Sequence, residues 1–310
     1  MIKIKSLLFY FILFFIFNDQ THSLENKILL KIDNEIITSI DVENEYRYLL
    51  ALNPNIKNLN KNDIFEISKR SIVKEKIKKI EKSKNIKDPN IPLNYLEDIL
   101  KNVYQKIDIQ NLEEFKKYLK ANNVNYTNVV EKIKTEALWN ELVYVKYSSK
   151  IKINQKEIKK KLINNKKNFS KSYLMSEIFF EISNSGELIK KFSEIKKTIE
   201  EKGFNNAALT HSISNTNNIG GNLGWINEES LNENLKKIIS NLSVNEFTDP
   251  LTVPGGFLIL NINEIKKIKN NQNINEELKK IIKSKKNNQL NQFSKIYFNK
   301  VKKNIQINEL

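Results

Sequence analysis

Apolar positions recur at helical spacing along most of the chain and switch to alternation in one stretch near its middle. Ile28 to Ile32, the turn Asp33-Asn34-Glu35 and Ile36-Ile37 read as a short hairpin. A helix with Thr38 or Ser39 as its N-cap is expected to run to Leu52, stopped by Asn53-Pro54. From Asp63 to Ser83, Phe65, Ile72, Val73, Ile77 and Ile80 share one face opposite a lysine-rich one. After the breaks at Asp88-Pro89 and Pro92, short helices are predicted around 93–106 and 111–121. A longer helix follows, carrying Val130, Ile133, Ala137, Leu138, Leu142 and Val145 on one side. Helices of this kind are unstable alone, so they predict a loose bundle. Glu276 to Lys303 repeats the habit through Leu278, Ile282, Leu290, Phe293, Tyr297 and Val301, and is expected to return and complete that bundle.

Leu174, Ile178, Phe180 and Ile182 alternate with Tyr173, Met175, Glu177 and Phe179, which is strand spacing. Leu188, Phe192, Ile195 and Ile199 then make a helix that Gly203 ends. A short helix over 205–210, a glycine-rich turn, a helix through Leu235, Ile238 and Leu242, and a hairpin around Pro254-Gly255-Gly256 complete the order β-α-α-β-α-β-β. That order predicts an α+β fold with an antiparallel sheet. All seven glycines, Gly186 to Gly256, lie in this stretch. The expected domains are a leader over 1–23, a helical domain over 24–165, the α+β domain over 170–265, and a C-terminal helix over 270–310 packing back on the helical domain.

At the N-terminus, Lys3 and Lys5 precede an apolar run from Leu7 to Phe17, with Thr21 and Ser23 as small residues ahead of a cleavage point. The run is too short for the roughly 18–20 residues that cross a bilayer, so it predicts a signal peptide cleaved between Ser23 and Leu24. The mature chain is then expected to be exported, with no integral membrane span.

Composition removes most chemistry. With no cysteine, a disulfide framework, a thiolate nucleophile and a cysteine-ligated metal are excluded, and two histidines make a multi-histidine site a poor bet, so no cofactor and no metal are expected. The formal charge of +16 invites a nucleic-acid reading. However, residues 170–265 are net acidic and the lysines elsewhere spread along helical faces without an aromatic ladder, so no nucleic-acid partner is expected.

The run Gly220-Gly221-x-Leu223-Gly224-Trp225, followed by Phe247-x-x-Pro250 and Gly255-Gly256-Phe257-x-Ile259, resembles parvulin-type peptidyl-prolyl isomerase domains. Ile32 to Val42 and Ile133 to Ile158 resemble the flanks of such a domain in SurA-type periplasmic chaperones. The resemblance implies unfolded polypeptide clients, outer-membrane β-barrel proteins among them. It also implies a proline pocket lined by Leu223, Leu231, Leu235 and Phe257. Parvulins carry histidines on the first and last strands around a central Cys or Asp, and this chain has Glu177, Leu258 and Ser214 there, with His211 the one imidazole nearby. Rotation about an X-Pro bond faces a barrier of about 18–20 kcal/mol and needs no nucleophile, only selective binding of the twisted amide. Two functions stay open from the sequence: a holdase whose isomerase activity is weak or lost, and a working proline isomerase assisting the folding of exported proteins.

Overall fold

The computed structural model describes residues 26–53, 56–57, 59–86, 89–164, 169–182, 184–214, 216–269 and 273–310. The expected leader, its cleavage point and Pro54 lie outside these residues. The chain is α+β, as the alternation of patterns requires.

Strands β1 (Ile28–Ile32) and β2 (Glu35–Thr38) form the hairpin. Helix α1 (Ser39–Leu52) starts from a reciprocal cap in which Thr38 accepts from the Asp41 amide and Asp41 accepts from the Thr38 amide. Helix α2 (Lys61–Asn85) is capped by Asn60, and α3 (Leu93–Gln105), α4 (Leu112–Ala121), α5 (Tyr126–Tyr147) and α6 (Gln155–Asn164) follow. Leu96, Leu100, Tyr104, Phe115 and Leu119 of α3 and α4 make one core with the first turns of α5. The rest of α5 joins α2 and the hairpin in a second core around Trp139.

Helix α10 (Ile274–Lys303) belongs to that second core. The Trp139 ring stacks on Tyr297 at 5.2 Å, its Nε1 donates to Ser294 Oγ at 2.9 Å, and Tyr147 stacks on Phe293 at 5.0 Å. The chain then adds strand β7 (Ile307–Glu309) to β1, giving a three-stranded sheet of order β2-β1-β7. The α2–α5 seam also holds charge. Lys78, with no side-chain exposure, reaches both Glu136 oxygens at 2.7 and 2.6 Å, and Lys132 lies between Glu45 and Glu75.

The middle of the chain is a four-stranded antiparallel sheet of β3 (Phe169–Phe180), β4 (Asn222–Asn227), β5 (Leu251–Val253) and β6 (Gly256–Lys269). Its strand order is β4-β3-β6-β5. Helices α7 (Leu188–Lys202) and α8 (Phe204–His211) follow β3, and α9 (Glu233–Ser240) follows β4.

Val145, placed by the periodicity on the buried side of α5, is 69% exposed, and three further positions differ from the periodicity by one residue. Phe65 is 39% exposed, and its neighbours Ile64 and Ile67 are the buried residues of that turn. Ile239, not Ile238, enters the core from α9, and Ile281, not Ile282, is the buried residue of α10. In each case adjacent apolar residues fit the sequence pattern in two phases, and packing selects one. Strand β7 was not expected at all.

Ile305 is buried just before β7, whereas Leu310 is exposed. Ile305→Ala is expected to lower the unfolding free energy by about 2–4 kcal/mol in urea titration, and Leu310→Ala to change it by less than about 0.5 kcal/mol. Equal small effects would mean that the tail contributes nothing to the core.

Candidate functional site

Strand β3 is central, and its side chains alternate between two covered faces. Ile178 and Phe180 pack on the back with Ile195 of α7 and Ala207 and Ala208 of α8. Tyr173 and Met175 pack on the front with Leu260 and Ile262 of β6 and Ile239 of α9. Glu177 and Phe179 continue the front face. The Gly220-Gly221 pair brings the chain into β4 across β3. Gly221 accepts from the Glu177 amide at 2.8 Å, and a Cβ at Gly221 would lie 2.2 Å from the Glu177 carbonyl oxygen. Any side chain at that position would push β4 off the strand that carries the carboxylate.

Glu177 sits at the end of a chain of hydroxyl groups. Thr216 Oγ1 donates to Glu177 Oε1 at 2.9 Å, Ser214 Oγ lies 2.6 Å from Thr216 Oγ1, and Ser212 Oγ donates to Ser214 Oγ at 3.1 Å. Ser212 Oγ in turn accepts from the Phe179 amide at 3.0 Å, which returns the chain to β3. Two lysines reach this group from outside the sheet domain. Lys295 of α10 contacts Glu177 Oε1 and Oε2 at 3.1 and 3.0 Å, with its ammonium 4.7 Å from the centre of the Phe179 ring. Lys74 of α2 donates to the Ser214 carbonyl at 2.8 Å. The Glu177 and Lys295 side chains are 8% and 13% exposed, so the pair is largely out of water.

The eight residues singled out from sequence are thus divided. Glu177 and Ser214 belong to one hydrogen-bonded chain. Leu223, Leu231, Leu235 and Leu258 gather on the same front face, packed against Tyr173, Met175 and Leu260. Leu231 and Leu235 border a cleft of about 540 Å³ that continues to Ile281 and Gln292 of α10 and Ile153 and Ile158 beside and on α6. Phe257 does not join them: it precedes Leu258 on β6, so it points to the back, stacked on Phe180 at 5.7 Å. His211 is bonded through Nε2 to Thr198 of α7 at 2.8 Å and takes no part in the Glu177 chain. Burial pushes its imidazole down to about 4, with Lys191 and Arg70 acting in the same direction, so the ring is neutral at neutral pH. Lys295, Thr216, Ser212 and Lys74 went unread in the sequence. Thr216 and Ser212 lie in a polar loop whose direction no periodicity fixes, and the two lysines are spaced like every other surface lysine of their helices.

The middle of the chain is thus an antiparallel sheet with two helices behind it, a third helix over an apolar front and a polar chain at one end. Residues 178–264 match the family described as Rotamase: PPIC-type PPIASE domain. The chain is also similar to the chaperone SurA of Pseudomonas putida, at 25% identity over 162 residues covering 49% of this chain and 38% of that one. SurA of Pseudomonas aeruginosa matches at 24% identity with 39% of its length covered, so the matched stretch spans about two-fifths of these relatives. A solved structure from the work describing PEB4 and Cj1289 as SurA-like chaperones of Campylobacter jejuni aligns at 18% identity over 92% of this chain and 99% of that chain, with a TM-score of 0.37. Among the described residues no helix is long and apolar enough to cross a membrane.

Lys74 provides a test of this junction. Burial pushes its amine from 10.5 down to about 7; Lys78 and Lys295 add to the effect, and Glu136 and Glu177 oppose it. Between those two values the folded chain holds fewer protons on Lys74 than the unfolded chain, so this group's contribution to stability rises with pH across that window and its whole penalty is present below it. Wild-type urea stability is therefore expected to climb from about pH 7 to about pH 9 relative to Lys74→Met, by up to about 1 kcal/mol per pH unit. Parallel pH profiles for the two proteins would remove Lys74 from the account.

Proposed function

We propose that this protein is an exported chaperone of the SurA type that binds unfolded outer-membrane polypeptides, and that its rotamase domain serves mainly to bind extended, proline-containing segments, with weak or no turnover. The observation that carries this reading is the state of the Glu177 centre. The carboxylate accepts from Thr216 and from Lys295. A carboxylate only accepts, the Thr216 hydroxyl proton is already given to it, and His211, the nearest imidazole in the sequence, is engaged with Thr198. What remains on that face is the cluster of Leu223, Leu231, Leu235 and Leu258, a surface suited to gripping a proline ring or an aliphatic side chain. A thousandfold acceleration needs about 4 kcal/mol of stabilisation specific to the twisted amide, and an apolar grip alone favours ground state and transition state alike.

In this reading residues 24–165 and the C-terminal helix make the client-holding module, and 170–265 make the inserted rotamase domain. No nucleotide or metal enters, since burial of exposed apolar client surface supplies the binding free energy. Cleavage after Ser23 would leave the chain free in the periplasm. The protein recovered from the periplasm is expected to begin at Leu24 by mass spectrometry; recovery with Met1 retained would make it membrane-tethered instead.

Two measurements on the full mature chain test the functional reading. NMR exchange spectroscopy of an X-Pro peptide is expected to show shifted or broadened peptide resonances without faster cis/trans exchange, and Leu231→Glu to abolish the shifts. Light scattering of a diluted, unfolded β-barrel protein is expected to fall in proportion to added chaperone. Faster exchange that Leu231→Glu removes would establish a working isomerase, and aggregation indifferent to excess protein would end the holdase reading.

A further inference from the structure

The hydroxyl chain at the rotamase centre has a single direction, which follows from counting protons. Ser212 Oγ accepts from the amides of Phe179 and Ser214 and gives its own proton to Ser214 Oγ. Ser214 Oγ accepts that proton and one from the Thr216 amide, and Thr216 gives its hydroxyl proton to Glu177. Since a hydroxyl has one proton to give, the 2.6 Å contact between Ser214 and Thr216 must run from Ser214 to Thr216. Every hydroxyl proton in the series therefore points towards one carboxylate.

That orientation is favourable only while the carboxylate is charged and held in place. The cation that meets it comes from a different part of the fold. Lys295 stands on α10, and its neighbours Phe293, Tyr297 and Phe298 pack into the core around Trp139. Its own side chain leaves that core in the other direction, crosses the Phe179 ring and ends on both Glu177 oxygens. Among the described residues, a carboxylate this little exposed and deprived of the ammonium would keep the Thr216 hydroxyl alone as a donor, and a buried charge so poorly paired drives rearrangement.

We propose that Lys295 is a positioning residue of the rotamase centre: acting through Glu177, it fixes the one-way series from Ser212 through Ser214 and Thr216 and so holds the loop that carries them. The centre is then composite, completed by a helix that lies outside the rotamase domain. This deepens the functional reading above and rests on it for its meaning, because the same ammonium that orders the loop also leaves the centre without a free hydroxyl donor for a bound X-Pro amide. Helix α10 thereby sets what the domain can present to a polypeptide.

The test is amide hydrogen exchange by NMR on the full chain, read at Phe179, Ser214 and Thr216, whose amides donate to hydroxyls of the series. Lys295→Met keeps the stem over Phe179 and removes the charge. It is expected to reduce protection at these three amides by about tenfold, as loss of one buried, charge-assisted bond implies. Lys295→Arg is expected to restore it. In a Glu177→Gln background, Lys295→Met is expected to have no further effect, because the partner through which it acts is gone. The indole N–H signal of Trp139, bonded to Ser294, reports whether α10 stays docked. Unchanged protection in Lys295→Met would overturn the proposal. So would an equal loss on both backgrounds, or a loss that Arg does not rescue and that accompanies a displaced Trp139 signal, since either describes mere packing. None of these readings depends on isomerisation or client aggregation, so failure here and failure of the chaperone reading are separately visible.

Discussion

Helix α10 must satisfy two neighbours of opposite chemistry at once. One side carries Leu290, Phe293, Tyr297 and Val301, which complete the core of the helical module. Another side meets the rotamase domain through polar groups: Lys285 donates to the Ser230 carbonyl, Asn227 to Glu277, Lys295 to Glu177, and Asn299 to Glu181. Burial of the first set is non-directional and fixes where the helix lies, whereas the second set is directional and fixes its rotation and its register along the sheet. A shift of α10 by one residue would turn Lys295 through about 100° and strand both ions of the pair. The seating of α10 thus sets the state of the polar centre, while Lys74, Arg70 and Asp63 of α2 hold the rotamase domain from another side through Ser214, Leu209 and Lys202.

A pair buried this way is weak as a source of stability, because desolvation of both ions offsets much of their attraction. Its consequence is geometric. Glu177, Lys295, Thr216 and the serines form a connected network in a poorly solvated place, where any unpaired member is expensive. The apolar cluster beside it carries no such demand and tolerates varied occupants. The two halves of the front face therefore differ in kind, one rigid and saturated, the other adaptable, and this difference suits binding many sequences better than it suits stabilising one twisted amide.

Much of this was legible in the sequence. The hairpin at Ile28–Ile37, the bounds of the long helices and the switch to alternation at Tyr173 all have local causes: caps, period and glycine. Errors fell where local causes are silent. Phe257 and Leu258 are both apolar neighbours on one strand, and only the sheet decides which faces forward. Strand β7 has three residues and no pattern of its own, so its pairing exists because β1 offers a free edge. Lys295 is one of twelve lysines between 266 and 310, and no residue near it marks it as the one whose partner lies 118 positions earlier. His211 drew notice for being rare, yet rarity says nothing about direction.

The pairing of Leu30 with Glu309 sets the order in which the parts of the fold close. The small sheet joins strands from opposite ends of the described residues, whereas the rotamase sheet closes within 169–269. Contacts between distant segments carry the larger loop-closure cost and form late. A folding chain would therefore hold a finished inner domain between two unfinished arms, and the apolar surfaces of those arms would stay bare until β1 and β7 meet.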